Sequence, residues 1–262
     1  MGLAFLVWLL TAVILYLTAR GPWWFPAPIS QHGAEFDKHF TTLLWITGAI
    51  FAAAQLLLGY AIVRFKSRGQ YATHSEGNNK LELLWTSATA ILFIGFALAA
   101  NGIWASVHLD QATEAALKID VLAKQFSWNF RYPGPDGKLG RTDVKFINDS
   151  TGNPFGLDEK DPAAKDDVIS STIRVPVNTL VELNLRSRDV IHNFFVRELR
   201  IKQDLVPGMT IPLRFKAQKE GTYEVPCSEL CGLGHHQMRT TLIVMSNEDF
   251  TRWLVDEGRK SR

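Results

Sequence analysis

The residues best suited to chemistry lie in one short segment near the C-terminus, Cys227-Ser-Glu-Leu-Cys231-Gly-Leu-Gly-His235-His-Gln-Met238. It holds both cysteines of the 262-residue chain, followed by an imidazole and a thioether. Soft ligands of this kind favour copper, zinc or iron–sulfur clusters over hard cations. Zinc sites usually take four nitrogen or sulfur ligands without a thioether, and iron–sulfur clusters usually take four thiolates. The terminal methionine therefore favours copper, and the segment predicts a function in electron transfer.

A disulfide between Cys227 and Cys231 is the structural alternative, because paired cysteines are common in extracytoplasmic proteins. Such a bridge would close a very short loop, so it would add little stability and would strain its own geometry. It would also leave the spacing of His235 and Met238 unexplained. We therefore expect both cysteines to be free and available to a metal.

The segment resembles the binuclear copper loop, CuA, of cytochrome c oxidase subunit II, whose pattern is Cys-Ser-Glu-x-Cys-Gly-x-x-His-x-x-Met. Every fixed position of that pattern is matched. The family also has an upstream histidine followed by aromatic residues and then Lys-x-Asp-x-x-Pro-Gly. Residues 192–195, His-Asn-Phe-Phe, and residues 202–208, Lys-Gln-Asp-Leu-Val-Pro-Gly, match it.

The resemblance implies a centre of two copper ions bridged by both cysteine sulfurs. His235 and Met238 would each complete one ion, and His192 would complete the site. His236 lacks the family spacing to the other ligands. Glu229 would bind copper through its backbone carbonyl, with its side chain near a Mg²⁺ ion shared with the catalytic subunit. The implied metal ligands are His192, Cys227, Glu229, Cys231, His235 and Met238.

Residues 81–86, Leu-Glu-Leu-Leu-Trp-Thr, resemble the family motif Glu-x-x-Trp-Thr. Its glutamate marks the cytoplasmic entrance of a proton-conducting pathway, which makes Glu82 a candidate for that role. Carboxylates at membrane depth tend to be functional. The alternative is a solvated acid that only favours the helix N-terminus.

An aromatic run departs from the family pattern. In the motif Gln-Trp-x-Trp, a surface tryptophan receives the electron from cytochrome c. Here Phe126 occupies its place and Trp128 matches the second tryptophan, so both are electron-path candidates, Trp128 as a packing residue beneath the copper site. The substitution leaves the donor open, since a membrane-bound or multihaem cytochrome could dock elsewhere.

Three apolar runs in the first 110 residues, at positions 2–19, 43–63 and 85–107, are each long enough to cross a hydrocarbon core of about 30 Å. Tryptophans 23, 24, 45, 85 and 104 lie near their ends, as interface anchors do.

The first run is either a retained transmembrane helix, which we favour, or a signal peptide; it has no basic residue before Arg20. The loop between the second and third runs is basic, which predicts a cytoplasmic loop and an external copper domain. Its basic residues are Arg64, Lys66, Arg68 and Lys80.

From Leu117 onward, short β-rich segments alternate with polar turns, which indicates a Greek-key sandwich or barrel. The resemblance makes this a cupredoxin domain. Residues 133–167 are rich in Gly, Pro and Asp and predict a surface excursion near the donor or a partner subunit. We expect an α+β membrane protein divided as follows: 1–20, extra transmembrane helix or signal peptide; 21–42, extracytoplasmic linker; 43–110, transmembrane hairpin; 117–255, CuA domain; 256–262, tail.

The resemblance implies the electron-transfer subunit of a terminal respiratory oxidase in a bacterial-type inner membrane. It would take electrons from a c-type cytochrome and pass them to haem in catalytic subunit I, where oxygen is reduced to water with proton translocation; subunit III would be a further partner. The chain has no Cys-x-x-Cys-His and so no covalent haem of its own. The net charge of +2 shows no strong excess of basic residues, so we do not expect nucleic acid as a partner.

Three alternatives remain. A quinol oxidase subunit II shares the architecture but usually lacks the copper ligands. A nitrous oxide reductase shares the CuA motif but needs a further copper-cluster domain and no membrane hairpin. A membrane-anchored copper chaperone or storage cupredoxin would not explain Glu82 or the loop that contains Asp204.

Overall fold

The computed structural model describes residues 1–21, 25–67, 69, 71, 74, 76–108 and 116–260. The predicted interface tryptophans at 23 and 24 and the basic loop residue at 68 lie outside this part of the chain. The structure divides into two compact units. The first comprises Met1–Trp24 and Phe36–Gly102, and the second comprises Phe25–Glu35 and Ile103–Arg262.

The N-terminal part of the chain forms three helices, α1 (Gly2–Arg20), α2 (Gln31–Arg64) and α3 (Asn79–His108). Each is long and apolar enough to cross a membrane, with a mean hydropathy of about 2 over its most apolar window. In the first unit, α1 packs on α2 where the Trp8 ring lies against Gly59. The Trp8 indole N–H donates to the carbonyl of Leu56 at 3.4 Å. Only a glycine leaves room for the ring at this crossing.

The second unit contains the β-structure. Its strands are β1 (Leu117–Lys124), β2 (Ser127–Tyr132), β3 (Val168–Ser170), β4 (Ile173–Pro176), β5 (Leu180–Ser187), β6 (His192–Val196), β7 (Ile201–Leu205), β8 (Ile211–Lys216), β9 (Gly221–Pro226) and β10 (Arg239–Met245). They form one sheet in the order β3-β2-β1-β5-β8, a second in the order β4-β10-β9, and the pair β6-β7. This confirms the predicted fold class, apolar helices followed by an all-β domain of cupredoxin type.

The alternation of β5 shows why these segments become strands. Val181, Leu183 and Leu185 are fully buried, and the residues between them are half-buried. Successive side chains of a strand point to opposite faces, so this pattern directs one face into the core. The same core takes in the aromatic side chains of Phe194 and Phe215. After β10, the amphipathic helix α4 (Asn247–Lys260) packs Phe250 and Trp253 against Tyr132.

A segment before α2 also belongs to the β-domain. Ile29 and Ser30 are buried, and Ser30 forms an antiparallel bridge with Ala217. The backbone N–H of Ile29 donates to the carbonyl of Glu198, and the N–H of Gln218 donates to the carbonyl of Ile29. Ile29 and Ser30, which lie within the segment predicted as a linker, are therefore packed against the strands.

The excursion between β2 and β3 is held by a buried ion cluster. Arg131 donates to Asp120 Oδ2 at 2.5 Å, to Asp167 Oδ2 at 3.1 Å and to the carbonyl of Gly140 at 2.8 Å. The pKa of Asp167 is raised to about 6. Burial is the largest cause, and it outweighs the nearby Arg131 guanidinium, which lowers the pKa. The excursion itself is built of three short 3₁₀ helices, Val144–Phe146, Asp149–Thr151 and Pro162–Ala164.

Candidate metal centre

The loop that carries the cysteines connects β9 to β10 and is closed at its base. The backbone N–H of Cys227 donates to the carbonyl of Met238 at 2.9 Å, which brings the first and last candidate ligands together. The N–H of Ser228 donates to the carbonyl of Asn193 at 3.1 Å, and Phe194 forms a bridge with Cys227. These bonds fix the loop to β6, the strand that begins with the upstream histidine.

The four other candidate ligands each have a donor atom close to one of the two cysteine sulfurs. Cys227 Sγ is 3.9 Å from Cys231 Sγ, 3.9 Å from His192 Nδ1 and 3.2 Å from the Glu229 carbonyl oxygen. Cys231 Sγ is 3.5 Å from His235 Nδ1 and 3.7 Å from Met238 Sδ. The ligand atoms of His192, Cys227 and Cys231 all lie within 4.8 Å of one another. The structure thus brings two segments that lie about 35 residues apart into one ligand cluster.

The disulfide alternative does not match this geometry. Both cysteines are free and buried, and their sulfurs are 3.9 Å apart, about twice the length of a disulfide bond. Burial, and then the adjacent Cys227, raise the pKa of the Cys231 thiol to about 11. A soft cation that binds the thiolate would displace this proton, as metal binding to cysteine generally does.

Asp189 orients the upstream histidine. Its Oδ1 accepts a hydrogen bond from His192 Nε2 at 2.8 Å, which leaves Nδ1 facing Cys227. Partial burial acts to raise the pKa of Asp189, but the hydrogen bonds from the Gln125 N–H, the His192 ring and the Val190 N–H outweigh it and lower that pKa. A carboxylate on the far nitrogen is the usual outer partner of a metal-binding histidine, because it fixes the tautomer and the ring orientation.

Gln125 and Phe126 support the loop from the outside. The Gln125 side chain donates to the carbonyl of Cys231 at 2.6 Å, and its backbone N–H donates to Asp189 Oδ2 at 2.7 Å. The Phe126 ring lies against Gly232 and Gly234. An added Cβ would collide with the ring at position 234 and with the Gln125 amide at position 232. Phe126, a candidate for the electron path, is therefore also a packing residue of the loop.

Trp128, the second electron-path candidate, is buried beneath the centre. Its ring centroid is 6.5 Å from that of His192 and 5.9 Å from that of Phe194, both at steep interplanar angles. Within the described part of the chain, its indole N–H is buried without a hydrogen-bond partner. The ring excludes water from the inner side of the centre.

The remaining sequence candidates are more exposed. The Glu229 and His236 side chains face solvent, whereas His235 is half-buried against Cys231. Glu82 is exposed in the first turn of α3, in the other compact unit. The ligand cluster belongs to the second unit.

The donor set fits copper. Besides the two cysteine sulfurs, the residues that would hold the metal are His192 and His235 with their imidazoles, Met238 with its thioether and Glu229 with its backbone carbonyl. Thiolate, imidazole and thioether are ligands that copper accepts, and the cluster is buried apart from the edge at His235.

Sequence reasoning missed Asp189 and Gln125. The only available signal for Asp189 was its position three residues before a ligand histidine, which does not distinguish it from an ordinary turn aspartate. Gln125 lies about 100 residues from the loop that it supports, so no local pattern connects the two.

Comparisons with known proteins identify the family of the chain. The family model for the periplasmic domain of cytochrome c oxidase subunit II matches residues 117–246. The alternative cytochrome c oxidase subunit 2 of Bradyrhizobium diazoefficiens is 36% identical over 257 residues, covering 94% of this chain and 91% of that protein. The probable cytochrome c oxidase subunit 2 of Rickettsia bellii is 31% identical, covering 91% and 86%. A crystal structure of the periplasmic domain of subunit II of cytochrome oxidase from Bradyrhizobium japonicum is 27% identical, covers 58% of this chain and 100% of that chain, and has a TM-score of 0.43.

Proposed function

This chain belongs to the cytochrome c oxidase subunit II family, and we propose that it is the subunit through which electrons enter a haem–copper oxidase. In this proposal the subunit takes electrons from a c-type cytochrome, using a binuclear CuA centre that the ligand cluster would hold. It passes them to haem in catalytic subunit I, where oxygen is reduced to water with proton translocation. The observation that carries the proposal is the convergence of four donor atoms, from His192, Glu229, His235 and Met238, on two free cysteine sulfurs.

When bound, the copper would supply a one-electron carrier, held by the two cysteines, His192, His235, Met238 and the Glu229 carbonyl. The protein's own contribution is to hold the ligands still. Asp189 fixes the ring of His192, and Trp128 fills the space beneath it. The backbone hydrogen bond from the Cys227 N–H to the Met238 carbonyl closes the loop. Ligands that cannot move need little rearrangement when charge arrives, which is the general advantage of a preorganised site.

The exposed Glu229 side chain gives the site a second role in this proposal. Its backbone carbonyl faces Cys227 while its carboxylate is free to meet a partner. We propose that the carboxylate takes part in a Mg²⁺ site shared with subunit I. Oxygen ligands of this kind suit Mg²⁺, which is commonly held by only one or two carboxylates.

We further propose that the chain lies in a bacterial-type inner membrane with the copper domain on the outside, beside subunits I and III. The basic residues between α2 and α3 support this orientation. Glu82, exposed at the start of α3, is then on the cytoplasmic side, where a carboxylate can serve as the entrance of a proton pathway.

A purified complex tests the function directly. Affinity purification through this chain should recover haem and copper together, and the complex should consume oxygen with a reduced c-type cytochrome as donor. Met238→Leu, which keeps the buried volume but removes the thioether, should slow reduction of the copper centre. Oxygen consumption with a quinol but not with a cytochrome would contradict the proposal.

A further inference from the structure

The excursion between β2 and β3 forms a cavity of about 1100 Å³ where it returns to the sheet. Polar residues from three parts of the excursion line this cavity: Asp136 near its start, Asn153 in its middle, and Asp166 and Asp167 at its end. None of the candidate copper ligands lines it, so the cavity is a separate site. We call Asp166 and Asp167 the carboxylate pair.

The carboxylate pair is buried, and each side chain has one unsatisfied oxygen. Asp166 and Asp167 are 8% and 3% exposed. Asp166 Oδ2 accepts the Asp136 N–H at 3.2 Å. Asp167 Oδ2 accepts Arg131 Nη1 and the Gly140 N–H, both at 3.1 Å. Within the described part of the chain, neither Oδ1 atom has a hydrogen-bond partner, and buried carboxylate oxygens of this kind call for a cation or a proton.

The positive charge beside the pair is already shared. Arg131 forms ion pairs with both Asp120 and Asp167. Among the described residues, Asp166 forms no ion pair, and Lys165, which also lines the cavity, is exposed to solvent. The protein therefore places more negative charge at this end of the cavity than its own side chains neutralise.

The pKa of Asp167 agrees with this surplus of negative charge. Burial is the largest cause of its rise to about 6, and the carboxylates of Asp166 and Asp136 add to it. Arg131 and the Gly140 N–H act in the opposite direction without cancelling the rise. Because the folded pKa lies above that of the free acid, the β-domain loses stability as the pH rises through about 6. A bound cation would offset this loss at neutral pH.

The donor atoms indicate the class of cation. Carboxylate oxygens suit hard cations such as Mg²⁺ and Ca²⁺. In the described residues, only the copper cluster gathers three His, Cys, Asp or Glu ligand atoms within 4.8 Å, so the cavity offers two carboxylates and not a full protein cage. Mg²⁺ is commonly held by one or two carboxylates and keeps several waters, and Ca²⁺ also accepts waters and backbone carbonyls.

We propose that the carboxylate pair binds a hard divalent cation, Mg²⁺ or Ca²⁺, which fastens the end of the excursion to the β-domain. The inference is independent of electron transfer and of the copper centre. The cation would neutralise Asp166 and Asp167 beside Arg131 on β2, where the excursion meets the sheet. With only two carboxylates we expect a modest affinity, with a Kd of about 10⁻⁴–10⁻³ M as in extracellular Ca²⁺ modules.

Calorimetric titration of the copper-free full-length chain in detergent, at neutral pH, tests the site with MgCl₂ and CaCl₂ in separate experiments. The Mg²⁺ site proposed at Glu229 is shared with subunit I, so the isolated chain keeps the two sites apart. The cation that binds more tightly identifies the ligand. At ten times its Kd it should raise the Tm of the β-domain by about 3–6 °C relative to NaCl of equal ionic strength.

Three isosteric variants locate the binding. Asp166→Asn keeps an acceptor for the Asp136 N–H but removes the charge, and it should raise the Kd roughly tenfold or more. Asp136→Asn, at the exposed rim, leaves the buried groups in place and should raise the Kd at least twofold. Asp143→Asn is the matched control, because Asp143 is an exposed acid of the same excursion that pairs with Lys145, and its Kd should equal that of the parent. Near-ultraviolet circular dichroism verifies the fold of each variant.

Either of two results would overturn the cation site. The first is no saturable binding of either cation up to about 10 mM, ten times the upper limit expected for such sites. A Tm that then rises as the pH falls through about 6 would assign protons to the pair. The second is a parental Kd in both Asp166→Asn and Asp136→Asn, or an equal loss in Asp143→Asn, which would show that the cation binds only to the charged surface.

Discussion

At the scale of single residues, Asp189 determines which nitrogen of His192 is available to a metal. An ionised carboxylate can only accept, so the His192 ring must donate from Nε2 and present Nδ1 to Cys227. Without that bond the ring would be free to adopt the other tautomer or to rotate. The same carboxylate also receives the Gln125 N–H, so it joins two supports of the site.

Replacing Asp189 with alanine should weaken copper binding by about 10–100-fold, the usual cost of losing an outer partner of a ligand histidine. Asp189→Asn keeps an oxygen acceptor and should fall between the parent and the alanine variant. Asp256→Ala, an exposed change on α4, serves as the control. Competition with a copper chelator measures the affinity. Unchanged affinity in Asp189→Ala would show that Asp189 does not contribute to copper binding.

The contact of Phe126 with Gly234 gives a second residue-scale prediction. A Cβ at position 234 collides with the Phe126 ring, so Gly234→Ala should cost about 1–3 kcal/mol of stability and lower copper occupancy. The double variant Phe126→Ala/Gly234→Ala should recover occupancy, because the obstructing ring is gone. Metal analysis after copper loading decides this. Equal loss in the single and double variants would show that Gly234 is required for another reason.

At the scale of elements, the buried ion cluster connects the excursion to the sandwich. Arg131 on β2 pairs with Asp120 on β1 and with Asp167 at the end of the excursion. Removing the arginine would leave two buried carboxylates without their cation. Such a loss is far more damaging than the loss of a surface pair.

Arg131→Met should lower the free energy of unfolding of the β-domain by about 3–5 kcal/mol. The control is Arg252→Met, whose partner Asp249 is exposed on α4 and whose loss should cost less than about 1 kcal/mol. Denaturant unfolding of the metal-free chain, followed by near-ultraviolet circular dichroism, measures both. Equal effects in the two variants would contradict an anchoring role for Arg131.

The sequence predicts elements where periodicity is strong and misses contacts made at a distance. The alternation in β5 and the three long apolar runs identify strands and helices directly. The motif spacing gathers the candidate ligands into one loop and one upstream strand. By contrast, the packing of Ile29 and Ser30 on the β-domain depends on residues near 198 and 217, which no local pattern indicates. The excursion looked irregular in sequence because its order comes from side-chain bonds such as those of Asp149 and Arg131.

At the scale of the whole molecule, the orientation of the helices decides where electrons arrive. If all three helices span the membrane and the basic loop at residues 66–84 is cytoplasmic, as we expect, the N-terminus is also cytoplasmic and the β-domain is outside. In oriented vesicles, protease added from outside should cleave the β-domain, and the loop should become accessible only after permeabilisation. Cleavage of the loop and the domain from the same side would contradict this topology.

The central claim is that the loop and His192 hold two copper ions joined by both cysteine sulfurs, and the most direct measurement is metal analysis with electron paramagnetic resonance of the copper-loaded chain. We predict two coppers per chain and a signal from one unpaired electron shared equally between two copper nuclei. Cys227→Ser and Cys231→Ser should each abolish the shared signal, because the chain has no other thiolate to bridge the ions. A single copper with a one-nucleus signal, or zinc retained in preference to copper, would contradict the account.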